Sequence, residues 1–156
     1  MLEQKTTINL ISRRDGLRIL GVLGLTAIAP GVINASPANV SSLIDEITKG
    51  KGAEVSDLYL DLPEIAENGN QVKVAFEINS PMTTESHVKK AYIFADGNPA
   101  PNVAEFTFTT KMGACAATTR MRLAKTQDVH LLAEFNDGSY ATTKATVKVT
   151  IGGCGG

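Results

Sequence analysis

The chain has 156 residues, room for one domain and a targeting segment but not for a two-domain enzyme. Hydrophobic residues at 43% and charged residues at 20% exclude a disordered or collagen-like chain and supply one core. Fifteen Lys plus Arg against sixteen Asp plus Glu leave a net charge of -1, without the basic footprint of a nucleic-acid binder. Two cysteines and two histidines, none closely spaced, cannot build a zinc site of the usual spacing or a Cys-x-x-Cys redox pair, so neither a metal nor a cofactor is expected.

Residues 17–35, LRILGVLGLTAIAPGVINA, form an apolar stretch interrupted by Arg18, Gly21, Gly24, Pro30 and Gly31, too short and broken for a membrane span. Ser12-Arg13-Arg14-Asp15-Gly16-Leu17-Arg18 precedes it, a twin-arginine pair that resembles a Tat export signal, with Gly16 where Phe is usual. Ala35 is the expected cut, with Ala27-Ile28-Ala29 as the competing site, so 1–35 reads as the signal and the destination as the periplasm. Cleavage removes four cationic and two acidic side chains and leaves 121 residues with 11 basic and 14 acidic groups, a net charge of -3 and no membrane anchor.

Ser36-Pro37 then supplies a helix start, and Val40, Leu43, Ile44 and Ile47 recur at helical spacing until Gly50. Beyond Asp57 the period becomes two. Val72, Val74, Phe76 and Ile78 alternate with Gln71, Lys73, Ala75 and Glu77, and the same alternation appears in Ala104, Phe106 and Phe108; in Thr119, Met121 and Leu123 against Arg120 and Arg122; and in Val129, Leu131, Ala133 and Phe135. Val147, Val149 and Ile151 close the series in a last strand over Thr146–Ile151. Asn68-Gly69-Asn70, Asn79-Ser80-Pro81, Asp96-Gly97-Asn98-Pro99, Lys111-Met112-Gly113 and Asp137-Gly138-Ser139 are turn signals between them. The pattern predicts a mainly β domain over 36–151: roughly seven strands in an immunoglobulin-like antiparallel β-sandwich, with one short N-terminal helix beside it.

The last strand stops at Gly152-Gly153-Cys154-Gly155-Gly156. Four glycines around one cysteine give maximal backbone freedom, which predicts a mobile arm over 152–156 that holds a thiol clear of the domain and is slim enough to enter a channel. No Lys, Arg or His in the arm activates that thiol, so Cys154 suits loading by other enzymes better than catalysis of its own. A Cys115–Cys154 disulfide is arithmetically open in an exported protein, but Cys115, set among Gly113, Ala114, Ala116 and Ala117, also reads as a small buried thiol.

Several segments resemble the SoxY family, the sulfur-carrier subunit of the periplasmic thiosulfate-oxidising (Sox) system. They are Leu62-Pro63-Glu64-Ile65-Ala66-Glu67-Asn68-Gly69, Asn98-Pro99-Ala100-Pro101, Arg122-Leu123-Ala124-Lys125-Thr126-Gln127-Asp128-Val129, Asp137-Gly138-Ser139 and above all Val149-Thr150-Ile151-Gly152-Gly153-Cys154-Gly155-Gly156. The resemblance implies a non-enzymatic carrier with covalent sulfur intermediates on the Cys154 thiol and Gly152, Gly153, Gly155 and Gly156 as its arm. It also implies a heterodimer with a SoxZ-like subunit and service to three partners. A SoxAX cytochrome would load thiosulfate oxidatively, a SoxB hydrolase would release sulfate, and a sulfur dehydrogenase, where present, would oxidise the remaining sulfane sulfur. It assigns nothing to Cys115.

His87 and His130 lie far apart and read as surface or packing residues, and Arg120 and Arg122 as a solvated strand face that could also meet an anion. Two other functions compete with a carrier on a thiol. One is a ubiquitin-like sulfur carrier with a thiocarboxylate on Gly156; the export signal and strand-rich pattern count against it. The other is a structural interaction domain, for which the glycine arm would have no use.

Overall fold

The computed structural model describes residues 40–56 and 58–153, all within the second of the chain's two units, Ala35–Gly156. The expected signal over 1–35, the Ser36-Pro37 helix start, and Cys154, Gly155 and Gly156 lie outside the described residues. No helix among the described residues is long and apolar enough to cross a membrane.

Helix α1 (Val40–Thr48) ends where the sequence predicts. Lys49 and Gly50 turn left-handed (φ 54° and 75°), and Gly50 N donates to Asp45 O at 2.9 Å, closing the last turn. Among the described residues nine strands follow: β1 (Glu54–Val55), β2 (Tyr59–Asp61), β3 (Ile65–Asn68), β4 (Val72–Ile78), β5 (Val88–Ala95), β6 (Asn102–Thr107), β7 (Cys115–Met121), β8 (Gln127–Phe135) and β9 (Tyr140–Ile151). The larger sheet runs β1-β9-β8-β5-β6, with β3 also on β9; the smaller runs β2-β4-β7. The described residues form the expected mainly β sandwich, with one helix at their N-terminal end.

The period-two pattern does what it predicts in β4, where Val72, Val74, Phe76 and Ile78 are buried and the residues between them face outward. They meet Ala91, Ile93 and Ala95 of β5 and Val129, Leu131 and Ala133 of β8 across the core, with Val147 of β9. Phe76 packs edge-on against Phe106, with ring centres 5.2 Å apart, and against Phe108.

The structure departs from expectation at three places. Strand β5 shows no alternation because both its faces are buried. Ala91 and Ile93 enter the sandwich core, whereas Tyr92 and Phe94, stacked at 6.2 Å, join Leu132 beneath the Val40, Leu43, Ile44 and Ile47 stripe of α1. Strand β9 is twelve residues long, extending the predicted Thr146–Ile151 back to Tyr140. Finally, the sandwich is not wholly antiparallel: β1 and β3 both pair parallel to β9.

Candidate functional site

The candidate site is the end of β9, the last described segment before Cys154 in the sequence. The first half of β9 pairs with β8, from Glu134–Tyr140 to Gln127–Val147. The second half changes partner to β3, with Ile65 opposite Lys148, Ala66 opposite Val149 and Asn68 opposite Ile151. Asn68 then opens a single 3₁₀ turn, Gly69–Gln71, its side-chain oxygen accepting from Asn70 N at 2.9 Å.

That turn meets a second one. Gly69 O accepts from Leu123 N at 2.8 Å, and Leu123 O accepts from Gly153 N at 2.9 Å. Thr126 Oγ1 in the same turn accepts from Val149 N at 3.0 Å. The packing leaves no room for side chains: a Cβ on Gly152 would overlap the Ala124 carbonyl, and one on Gly153 would overlap the Gly69 carbonyl. Here glycine is required by close backbone approach and not by conformational freedom.

This corrects the expected arm. Gly152 and Gly153 belong to the body of the domain, and Gly153 is buried. Of the expected arm over 152–156, only residues 154–156 lie beyond this fixed point in the sequence. Ile151, two residues before Gly153, is 64% exposed, and Ile65, opposite Lys148 and on the other face of the sheet, is 60% exposed.

The turn that grips Gly153 is itself held by side chains. Asn98 Nδ2 donates to Arg122 O at 2.8 Å, while its Oδ1 accepts from Ala124 N at 2.9 Å and from Gln127 Nε2 at 3.0 Å. Gln127 Oε1 accepts from Gly97 N at 2.7 Å, and Nε2 also donates to Lys125 O at 3.0 Å. Asn98 and Gln127 are only 8% and 6% exposed, so these amides form a satisfied buried network rather than a solvated loop. The sequence reading missed Asn98, Gln127 and Gly69 as contributors. Asn98 and Gly69 stand in segments read as turn signals and as parts of the family resemblance, with no role assigned, and nothing local joins them to residue 153.

Cys115 lies at the start of β7 opposite Ile78, 1% exposed and unbridged. Burial pushes its thiol up to about 11, so it is neither a ready nucleophile nor an accessible one. His87 donates its backbone N–H to Asn136 Oδ1 and places Nδ1 2.9 Å from Thr83 O. His130 approaches Asp96 and Asp128, and one ligand-type atom of each lies within 4.8 Å of the others. Those carboxylates already have partners in the chain. Asp128 takes Lys144 Nζ at 2.7 Å and Thr146 Oγ1 at 2.5 Å, and Asp96 Oδ1 accepts from Asp128 N. The Lys144 ammonium forms an ion pair with Asp128. Arg120 and Arg122 are exposed, as read, and Arg120 donates to Gln71 Oε1 at 3.2 Å.

Fold and site together define a β-sandwich whose final strand is clamped one residue ahead of a cysteine. Residues 44–154 match the family described as sulfur oxidation protein SoxY, and the chain belongs to that family, with a role in sulfur oxidation. No curated protein matches it. Among solved structures, the superoxide reductase (neelaredoxin) from Ignicoccus hospitalis shares 14% identity at a TM-score of 0.53, covering 60% of this chain and 80% of its own. The superoxide reductase from Nanoarchaeum equitans shares 10% at 0.51, covering 61% and 99%. A hypothetical protein from Pyrococcus horikoshii shares 14% at 0.52, covering 66% and 98%. At these identities the likeness is one of fold alone.

Proposed function

We propose that this chain is a covalent sulfur carrier whose Cys154 thiol bears the intermediates of thiosulfate oxidation and presents them to partner enzymes, without catalysing a step itself. The observation that carries the reading is the family match, which runs through Cys154. The state of the chain's other cysteine supports it, because Cys115 is buried with a raised pKa and cannot exchange substrates with a partner.

Loading joins the Cys154 sulfur to the outer sulfur of thiosulfate. The thiol proton leaves, and two electrons pass to an acceptor such as a c-type cytochrome of the SoxAX kind. A SoxB-type hydrolase then adds water across the bond to the sulfonate group, releasing sulfate and two protons and leaving a persulfide on Cys154. A sulfur dehydrogenase, where one exists, would oxidise that remaining sulfur. The carrier works in the periplasm after Tat export, paired with a SoxZ-like subunit, and the exposed Ile151, two residues before Gly153, offers apolar surface for a partner to meet.

Intact-mass spectrometry of the protein isolated from cells fed thiosulfate tests this. Adducts that map to Cys154 and vanish on reduction are expected. A modified C-terminal carboxyl group would point to the thiocarboxylate chemistry of ubiquitin-like carriers, and an unmodified chain to a structural domain.

A further inference from the structure

We propose that Asn98 is a positioning residue for delivery of the Cys154 thiol, acting through the turn that holds Gly153. This rests on the carrier reading and adds to it a residue 56 positions away in the chain.

The argument is geometric. In extended backbone the N–H and C=O of one residue point to one side, and the flanking C=O and N–H point to the other. The Asn98 carboxamide bonds both groups that flank Leu123, donating to Arg122 O and accepting from Ala124 N. It thus takes the place of a neighbouring strand. Leu123 must then turn its own N–H and C=O the opposite way, toward Gly69 O and Gly153 N, which is where they are found. Asn98 is held in register by Gln127, which bonds Asn98 Oδ1 on one side and Gly97 N on the other. The Gly153 N–H is the last backbone donor before Cys154, so the direction of the Leu123 carbonyl sets where the arm begins. The side chain touches no substrate; its effect is on aim.

The test is Asn98→Asp in the full mature carrier. An ionised carboxylate still accepts from Ala124 N but cannot donate to Arg122 O, whereas a protonated one can. Three readouts are compared with wild type: exchange of the Gly153 amide, reaction of Cys154 with a small aromatic disulfide reagent, and hydrolase-catalysed sulfate release from carrier preloaded with thiosulfate. Near neutral pH, Gly153 exchange should quicken and kcat/KM for release should fall, each on the order of tenfold or more, as expected when a reacting group is misplaced by about an ångström. The small-reagent reaction, which needs only an accessible thiol, should not change. Relative protection of Gly153 should recover as the pH falls and the carboxyl group protonates, which general destabilisation would not produce.

Sulfate release by folded Asn98→Asp within twofold of wild type would overturn the proposal. If that variant does not fold, Thr126→Val decides, since it removes only the hydroxyl that holds Val149 N in the same turn. Slower release with faster Gly153 exchange supports the proposal, and wild-type values for both overturn it. An absent Cys154 adduct in wild type would defeat the carrier reading itself. An adduct that forms and is released equally well by the variants would defeat only the role of Asn98.

Discussion

Gly69 and Gly153 meet backbone to backbone, with space for a side chain on neither. A Cβ on Gly69 would overlap the Leu123 carbonyl oxygen and come 2.8 Å from Gly153 N, and one on Gly153 would fall on the Gly69 carbonyl. The nearest neighbours on both sides are main chain, which cannot swing away as the tip of a long side chain would.

Gly69→Ala and Gly153→Ala should therefore each destabilise the domain by about 1–3 kcal/mol, the usual cost of forcing extra volume into close packing. From composition alone, Gly153→Val reads as harmless to stability; the packing reverses that expectation. Gly155→Val, which falls beyond the clamp in sequence, should leave the thermal midpoint unchanged while slowing loading and release. Thermal unfolding of the three variants, beside partner-catalysed sulfate release at equal folded concentration, separates the two effects.

Cys154→Ser should fold and pair with the companion subunit normally yet yield no thiosulfate-dependent sulfate in a reconstituted system. A hydroxyl cannot form the sulfur–sulfur bond on which loading depends. Turnover comparable to wild type would remove Cys154 from the mechanism.

Cys115 should be chemically silent in the native protein. Iodoacetamide near pH 8 should label one of the chain's two cysteines, and both after denaturation. Cys115→Ala should keep most of the activity. A variant that folds but fails to turn over would reveal a redox role for the buried thiol.

His130 makes stability sensitive to mild acid. Burial holds its imidazole below the ordinary 6.5, outweighing the upward pull of Asp96 and Asp128, with Lys144 adding to the depression. A depressed pKa in the folded state means that the folded protein resists a proton which the unfolded chain accepts. The associated stability is thus complete above pH 6.5 and is lost as the pH falls from there through the lowered folded value. Asp128 is also depressed, chiefly by its hydrogen bond from Lys144 and then by that from Thr146. Its contribution is complete above the ordinary 3.8 and is lost as the pH falls from there through the lowered folded value. Thermal midpoints across acid pH should show two separate declines, and His130→Gln should remove its contribution to the upper one.

The sequence displays those parts of this molecule whose physics is local. The alternation of Val72 to Ile78 marks β4 because one face meets the core and the other water, and Gly50 marks the end of α1 because a left-handed residue is needed there. Strand β5 escaped notice because a helix covers its second face, so Tyr92 and Phe94 are as apolar as Ala91 and Ile93. At the site, the cysteine and its glycines are legible by composition, but their division between body and arm is not. That division depends on Gly69, Asn98 and Leu123, which reach residue 153 only through folding, and a glycine selected for close contact reads the same as one selected for freedom.

The change of partner along β9 has a mechanical consequence. Hydrogen bonds to β8 and then to β3 run across the strand direction, so a pull on the tether is borne by the two ladders in shear instead of peeling them open one bond at a time. An enzyme that strains the loaded sulfur while drawing it inward would pull against a rigid anchorage, and the tension would be spent on the bond to be broken.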